Sequence, residues 1–188
     1  MSKLIYSTIA SLDGYIVDED GKFDWGIPDA EVHAAVNDVM RSIGTHLYGR
    51  RLYEVMAAWE TLDLTDESDV SRDFAQLWRA ADKIVYSTTL TTASTARTRI
   101  EPRFAVDDVA ALKAAADRDL LIGGADLAGQ ALAAGLVDDI QLFLCPVVVG
   151  GGTAALPHGV RLDLELSDER RFASGFVGLT YRCRDSVR

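Results

Sequence analysis

Two short stretches hold the residue types best suited to gripping an anion. The first is Leu47-Tyr48-Gly49-Arg50-Arg51-Leu52-Tyr53-Glu54. The second is Leu121-Ile122-Gly123-Gly124-Ala125-Asp126-Leu127-Ala128. In each, glycine falls where an apolar strand pattern gives way to a helical one. A helix start offers free N–H groups and the positive end of a dipole. Glycine lets a ligand approach that backbone closely because no Cβ intervenes. Arg50 and Arg51 add two guanidinium forks able to grip phosphate through paired hydrogen bonds. Two such junctions in one sheet could hold a pyrophosphate between them. The competing role of each glycine is a plain turn. Neither stretch fits Gly-x-Gly-x-x-Gly, and neither continues into Gly-Lys-Ser/Thr, so the Rossmann fingerprint and the P-loop are both absent.

Other side chains are candidates for substrate chemistry. Asp13 follows an apolar strand and precedes Gly14, which makes it the best candidate for a catalytic or substrate-facing polar group; forming the turn is its competing role. Trp25 lies on the loop after the first strand and suits either the wall of a pocket or simple packing. His33, His46 and His158 are far apart, and with Cys145 and Cys183 they show no metal-ligand spacing, so no metal is expected.

The elements that must position these residues follow from the patterning. Leu4–Ala10 is an apolar, β-branched run that predicts a strand, continued by residues 11–17. Asp29 predicts the N-cap of a helix carrying Val32, Val36, Val39, Met40 and Ile43 on one face, ended by Gly44. Strands are expected at 45–48, 83–87, 120–122, 140–149, 160–166 and 176–183. Helices are expected at about 52–59, 73–81, 106–117 and 127–134. The Ser/Thr-rich stretch 88–98 predicts an exposed loop. Strand and helix alternate to about residue 137, and strands follow in succession afterwards. That order predicts an α/β fold with a mostly parallel sheet, antiparallel C-terminal strands and helices on both faces. No repeat or Pro/Gly-rich linker divides the 188 residues, so a single domain over 1–188 is expected.

Composition excludes several classes. Nineteen Lys and Arg stand against 29 Asp and Glu, a formal net charge of −10. Such a surface repels phosphate backbones, so nucleic acid is not expected as a partner. No apolar run reaches the length of a membrane span. Two cysteines make no disulfide framework, and the start of the chain lacks a signal-peptide pattern. A cytoplasmic protein with a small-molecule partner is the expectation.

A resemblance adds to this reading. Ser11-Leu12-Asp13-Gly14-Tyr15-Ile16, Tyr48–Glu54, Lys83-Ile84-Val85-Tyr86-Ser87-Thr88-Thr89 and Ile122-Gly123-Gly124-Ala125 follow the order and rough spacing of the dihydrofolate-reductase-like superfamily. Asp138–Leu142 and Pro146–Gly152 resemble the branch that contains the C-terminal reductase domain of bifunctional riboflavin-pathway proteins. The resemblance covers nearly the whole chain. It implies a three-layer fold and NADPH lying across the carboxyl ends of the strands. It implies that Gly49, Arg50 and Arg51 meet the cofactor phosphates, and that Ser87, Thr88 and Thr89 lie beside the adenosine 2′-phosphate. Ile122, Gly123, Gly124, Ala125, Asp126 and Leu127 correspond to the glycine pair and helix start against nicotinamide and pyrophosphate, a pair compatible with a cis bond. Ile9, Ala10, Asp13, Gly14 and Ile16 correspond to the segment beside nicotinamide and substrate, with Trp25 near the substrate. A homodimer is implied as well, its contact at the apolar stretches 142–144 and 147–149. Two departures stand out. Leu52 occupies the place where many relatives have Thr, and Ala30 stands where a pterin-binding carboxylate would be, which argues against dihydrofolate as substrate.

Three readings remain at this point: an NADPH-dependent reductase of a small heterocyclic or carbonyl-type substrate, for which the resemblance implies a 5-amino-6-(5-phosphoribosylamino)uracil reductase-like activity, a nucleotide-binding sensor that keeps the pocket without catalysis, and a purely structural dimeric module.

Overall fold

The computed structural model describes residues 2–184. An eight-stranded sheet runs through it. Its strands are β1 (Leu4–Ser11), β3 (Ile43–Gly49), β4 (Asp82–Tyr86), β5 (Thr98–Glu101), β6 (Asp119–Gly123), β7 (Asp139–Cys145), β9 (Leu164–Arg171) and β10 (Val177–Cys183). Their spatial order is β5-β4-β3-β6-β1-β7-β10-β9, and β2 (Tyr15–Val17) pairs separately with β8 (Thr153–Ala154). The first six strands in that order are parallel, and β10 and β9 close the sheet antiparallel. This is the mostly parallel sheet with antiparallel C-terminal strands that the alternation predicts.

The three layers follow from strand periodicity. Successive side chains point to opposite faces. Leu4, Tyr6, Leu47, Ile84, Leu120 and Ile122 therefore pack on one face with α5 (Val106–Ala115) and α6 (Ala125–Ala133). Their neighbours Ile5, Tyr48, Val85 and Leu121 pack on the other, against α1 (Ala30–Met40), α2 (Arg50–Met56) and α4 (Asp69–Ala80). A strand covered on both faces reads as a continuous apolar run, as β1 and β6 do. The short α3 (Ala58–Thr61) links α2 to the loop before α4.

Several boundaries differ from the sequence expectation, each for a local reason. Helix α1 stops at Met40, and Gly44 lies inside β3 instead of ending the helix. A Cβ at Gly44 would stand 2.8 Å from the Cβ of Arg118, so close packing explains the glycine. Strand β5 starts at the last residue of the expected loop and was not expected; with Ile100 its sole large apolar residue, it gives no periodic signal. Strand β7 ends before Pro146, which has no N–H for a ladder. Strand β9 lies at 164–171 instead of 160–166, and its sequence LELSDERR is mostly charged. Charge is tolerated there because β9 is a sheet edge, where it discourages pairing with a second chain. Among the described residues no helix is long and apolar enough to cross a membrane.

Candidate functional site

Because β3, β4, β6, β1 and β7 run in parallel, their carboxyl ends open on one side of the sheet. Open α/β sheets bind ligands there. Tyr48 is in register with Gly123, and Gly49 with Tyr86. The two glycine junctions, more than seventy residues apart in sequence, thus occupy adjacent strand ends. A cleft of about 1540 Å³ runs along these ends.

The cleft gathers most of the residues the sequence singles out. Ile9, Ile16, Trp25, Gly49, Arg50, Arg51, Ser87, Thr88, Thr89, Gly123, Gly124, Ala125, Asp126 and Leu127 all line it. Four do not. Ala10 and Ile122 are fully buried in the core, because strand alternation turns their side chains away. Gly14 forms a tight turn, with φ of 89° and its N–H donating to Ser11 O at 2.9 Å.

Asp13 lies outside the cleft wall. It is exposed, and its carboxylate accepts from Gly150 N at 2.8 Å and Val149 N at 3.2 Å. The Ser11 hydroxyl and these two N–H groups hold its carboxyl below the usual range. In this structure Asp13 ties the turn after β1 to the glycine-rich turn after β7. That is its turn-forming role extended across the fold.

The junctions have the form of a cradle. Gly49 caps α2 and Gly124 caps α6, and neither helix start carries a side-chain cap. By contrast, Asp29 caps α1 through Val32 N and Ser68 caps α4 through Ser71 N. The cleft-side amides are therefore left for another acceptor. Gly49 has an ordinary φ of −74°, and a Cβ there would meet nothing within 4 Å. Neither conformation nor packing demands glycine at 49; its bareness widens the cleft. Gly123 is different: a Cβ would stand 2.5 Å from Leu52 Cδ2 and 3.2 Å from the Tyr48 ring. Leu52 thus sits against the second junction from the first. All peptide bonds among the described residues are trans, the Gly123–Gly124 bond included.

Charge is distributed unevenly. Arg50 is paired with Glu54 at 2.8 Å. Arg51 and Arg103 line the cleft without a carboxylate partner among the described residues. The sequence reading missed Arg103, because the strand that carries it to the cleft, β5, was unrecognised. It also missed the apolar wall of Phe23, Ile27, Val55 and Met56. Phe23 and Ile27 are 50% and 70% exposed, an unusual state for large apolar side chains flanking Trp25. A cluster of this kind around Trp25 was a signal the sequence did carry. Tyr86 also lines the cleft, and burial pushes its phenol up to about 12, so it stays protonated across the physiological range. No histidine lines the cleft.

The arrangement has a counterpart in known proteins. Residues 2–177 match the RibD C-terminal domain. The chain belongs to the RibD C-terminal domain family. It is 28% identical over 181 residues to the uncharacterized protein YyaP of Bacillus subtilis strain 168, covering 95% of this chain and 94% of that protein. A protein of Shewanella sp. PV-4 described with riboflavin biosynthesis superposes with a TM-score of 0.77 at 21% identity, covering 97% of this chain and 99% of that one. A Thermotoga maritima diaminohydroxyphosphoribosylaminopyrimidine deaminase/5-amino-6-(5-phosphoribosylamino)uracil reductase superposes with a TM-score of 0.66 at 15% identity. That match covers 97% of this chain but 57% of the Thermotoga protein. At these identities the superpositions establish a shared fold. Membership of the RibD C-terminal domain family places the chain in a reductase-type family.

Proposed function

We propose that the chain is an NADPH-dependent reductase of a small heterocyclic or carbonyl-type substrate. One observation carries the reading: the Gly49 and Gly123 junctions stand side by side at the carboxyl ends of β3 and β6, both uncapped, on a cleft lined by Arg50, Arg51 and Arg103. The residues present suit the cofactor. Amides at Gly49–Arg51 and Gly124–Asp126 would take the pyrophosphate oxygens. Arg51, Arg103, Ser87 and Thr88 would hold the third phosphate that distinguishes NADPH from NADH.

When bound, the cofactor supplies a hydride, and the protein supplies orientation, electrostatics and exclusion of water. Ile9, Leu52 and Phe143 give the cleft dry walls beside the strand ends. A carbonyl or imine reduced by hydride also takes up a proton on its heteroatom. Asp18, Glu19 and Asp126 are the acids of the cleft wall among the described residues. The dinucleotide is tested by fluorescence titration of the full chain. NADPH binding at least about tenfold tighter than NADH is the expected result, on the strength of a charge-assisted contact. Equal affinity overturns the NADPH preference, and no binding of either overturns the reductase reading.

Leu52 favours a second reading, a sensor that binds NADPH without turnover, since its side chain fills space against Gly123 where a hydroxyl would donate. Tight NADPH binding with no oxidation across a broad panel of carbonyl and heterocyclic acceptors supports the sensor. Loss of NADPH absorbance with any of them supports the enzyme.

A homodimer belongs to the proposal. Residues 142–144 lie on β7, an interior strand with both edges paired, so a contact there would use a face of the sheet and not strand pairing. Support comes from Val148 of the expected 147–149 stretch and from Leu12, 67% and 63% exposed, on segments joined by a hydrogen bond from Leu12 N to Val147 O. A monomer by light scattering at micromolar concentration overturns it.

A further inference from the structure

We infer that the substrate is a planar ring compound without a phosphate group, neutral or cationic; the inference rests on the cofactor reading above. It comes from how charge and aromatic surface divide along the cleft. Strand order runs β5, β4, β3, β6, β1, β7. Every arginine of the wall stands on the first half: Arg103 follows β5, and Arg50 and Arg51 follow β3. The far half, built by β1, β7 and the β2–β8 pair, contributes no cation to the wall among the described residues. Its charged members are Asp18 and Glu19, and neither has a cationic partner among the described residues. Lys22 in the same loop does not line the cleft and lies 3.9 Å from Asp20.

A dinucleotide held through its phosphates by the arginine half leaves the acidic half for the substrate. That half has apolar ring surface in Trp25 and Phe23, suited to stacking a ring. Phosphate there meets two carboxylates without a cationic partner, Asp18 accepting from the Asp20 and Lys22 amides and Glu19 exposed, and like charges repel. The Thermotoga relative, by its name, acts on a phosphoribosyl compound. The cation-free half separates this chain from that substrate class. An amine or a protonated ring nitrogen would be attracted by the same carboxylates.

The test uses the full chain loaded with NADP⁺, the loading verified first by calorimetry. Two matched probe pairs are then titrated: riboflavin against flavin mononucleotide, and pyridoxine against pyridoxine 5′-phosphate. The unphosphorylated member of at least one pair is expected to bind about tenfold or more tighter than its phosphate ester. In the variant carrying Asp18→Asn and Glu19→Gln the gap narrows to about threefold or less, with NADP⁺ affinity unchanged. Equal or tighter binding of the phosphate esters overturns the inference. So does binding of none of the four probes to loaded protein, because a ring-accepting pocket is then absent. Failure of NADP⁺ itself to bind is a separate result, and it overturns the cofactor reading instead.

Discussion

Tyr48 and Gly123 are register partners across β3 and β6, so the Tyr48 ring lies 3.2 Å from where a Cβ at position 123 would stand. From that pairing follows a contrast between the two glycines of the cradle. Gly123→Ala forces Leu52 or Tyr48 to move and is expected to cost about 1–3 kcal/mol of stability, as overpacking does. Gly49→Ala meets no neighbour and leaves the melting temperature within about 2 °C of the parent. It nevertheless weakens NADPH about tenfold by narrowing the approach to the amides. Thermal melts and cofactor titration of both variants check this. If Gly49→Ala binds NADPH as the parent does, the first junction is only a turn.

The arginines are not equivalent. Arg50 is engaged by Glu54, whereas Arg51 and Arg103 have no carboxylate partner among the described residues. Arg103→Ala is expected to weaken NADPH about 10–100-fold with little effect on NADH, the worth of a charge-assisted contact. Arg50→Ala changes either affinity about threefold or less. Isothermal titration with both nucleotides separates these outcomes, and a larger loss for Arg50→Ala would reverse the assignment.

Asp13 anchors a turn, and its substitution tells an anchor from a catalyst. Asp13→Asn keeps an acceptor for Gly150 N and should hold kcat within about threefold, whereas loss of a catalytic acid typically costs 100-fold or more. Asp13→Ala lowers the melting temperature, and more so at neutral pH than at pH 3. The sign follows from its depressed carboxyl: the contribution is present above the unfolded carboxylate range and disappears as pH falls through the folded value.

His46 predicts an acid limb of stability. It is buried on β3, stacked on Tyr48 at 5.3 Å, and its Nδ1 has no partner among the described residues. Burial, helped by the nearby Lys83 charge, lowers its pKa to about 3. The folded form therefore stays neutral while the unfolded chain takes up a proton below about pH 6.5. Stability from this group is intact above that pH and falls toward pH 3 by up to about 1.4 kcal/mol per pH unit. His46→Phe keeps the ring and should flatten the decline between pH 6 and 4 in urea titrations. An unchanged slope would show that other groups govern acid unfolding.

Much of this was legible in the sequence because it is local. The apolar runs of β1 and β6, the Asp29 cap and the glycines after β3 and β6 report backbone preferences within a few residues. The departure at Leu52 is equally visible there. What the chain could not reveal by itself was which strand ends meet. That Tyr48 neighbours Gly123, that Arg103 reaches the cleft, that Asp13 is tied to Gly150 137 positions away and that charged β9 is an edge all depend on strand order. Strand order is fixed by packing apolar faces from distant segments into one double-sided core, an energy no short window of sequence contains.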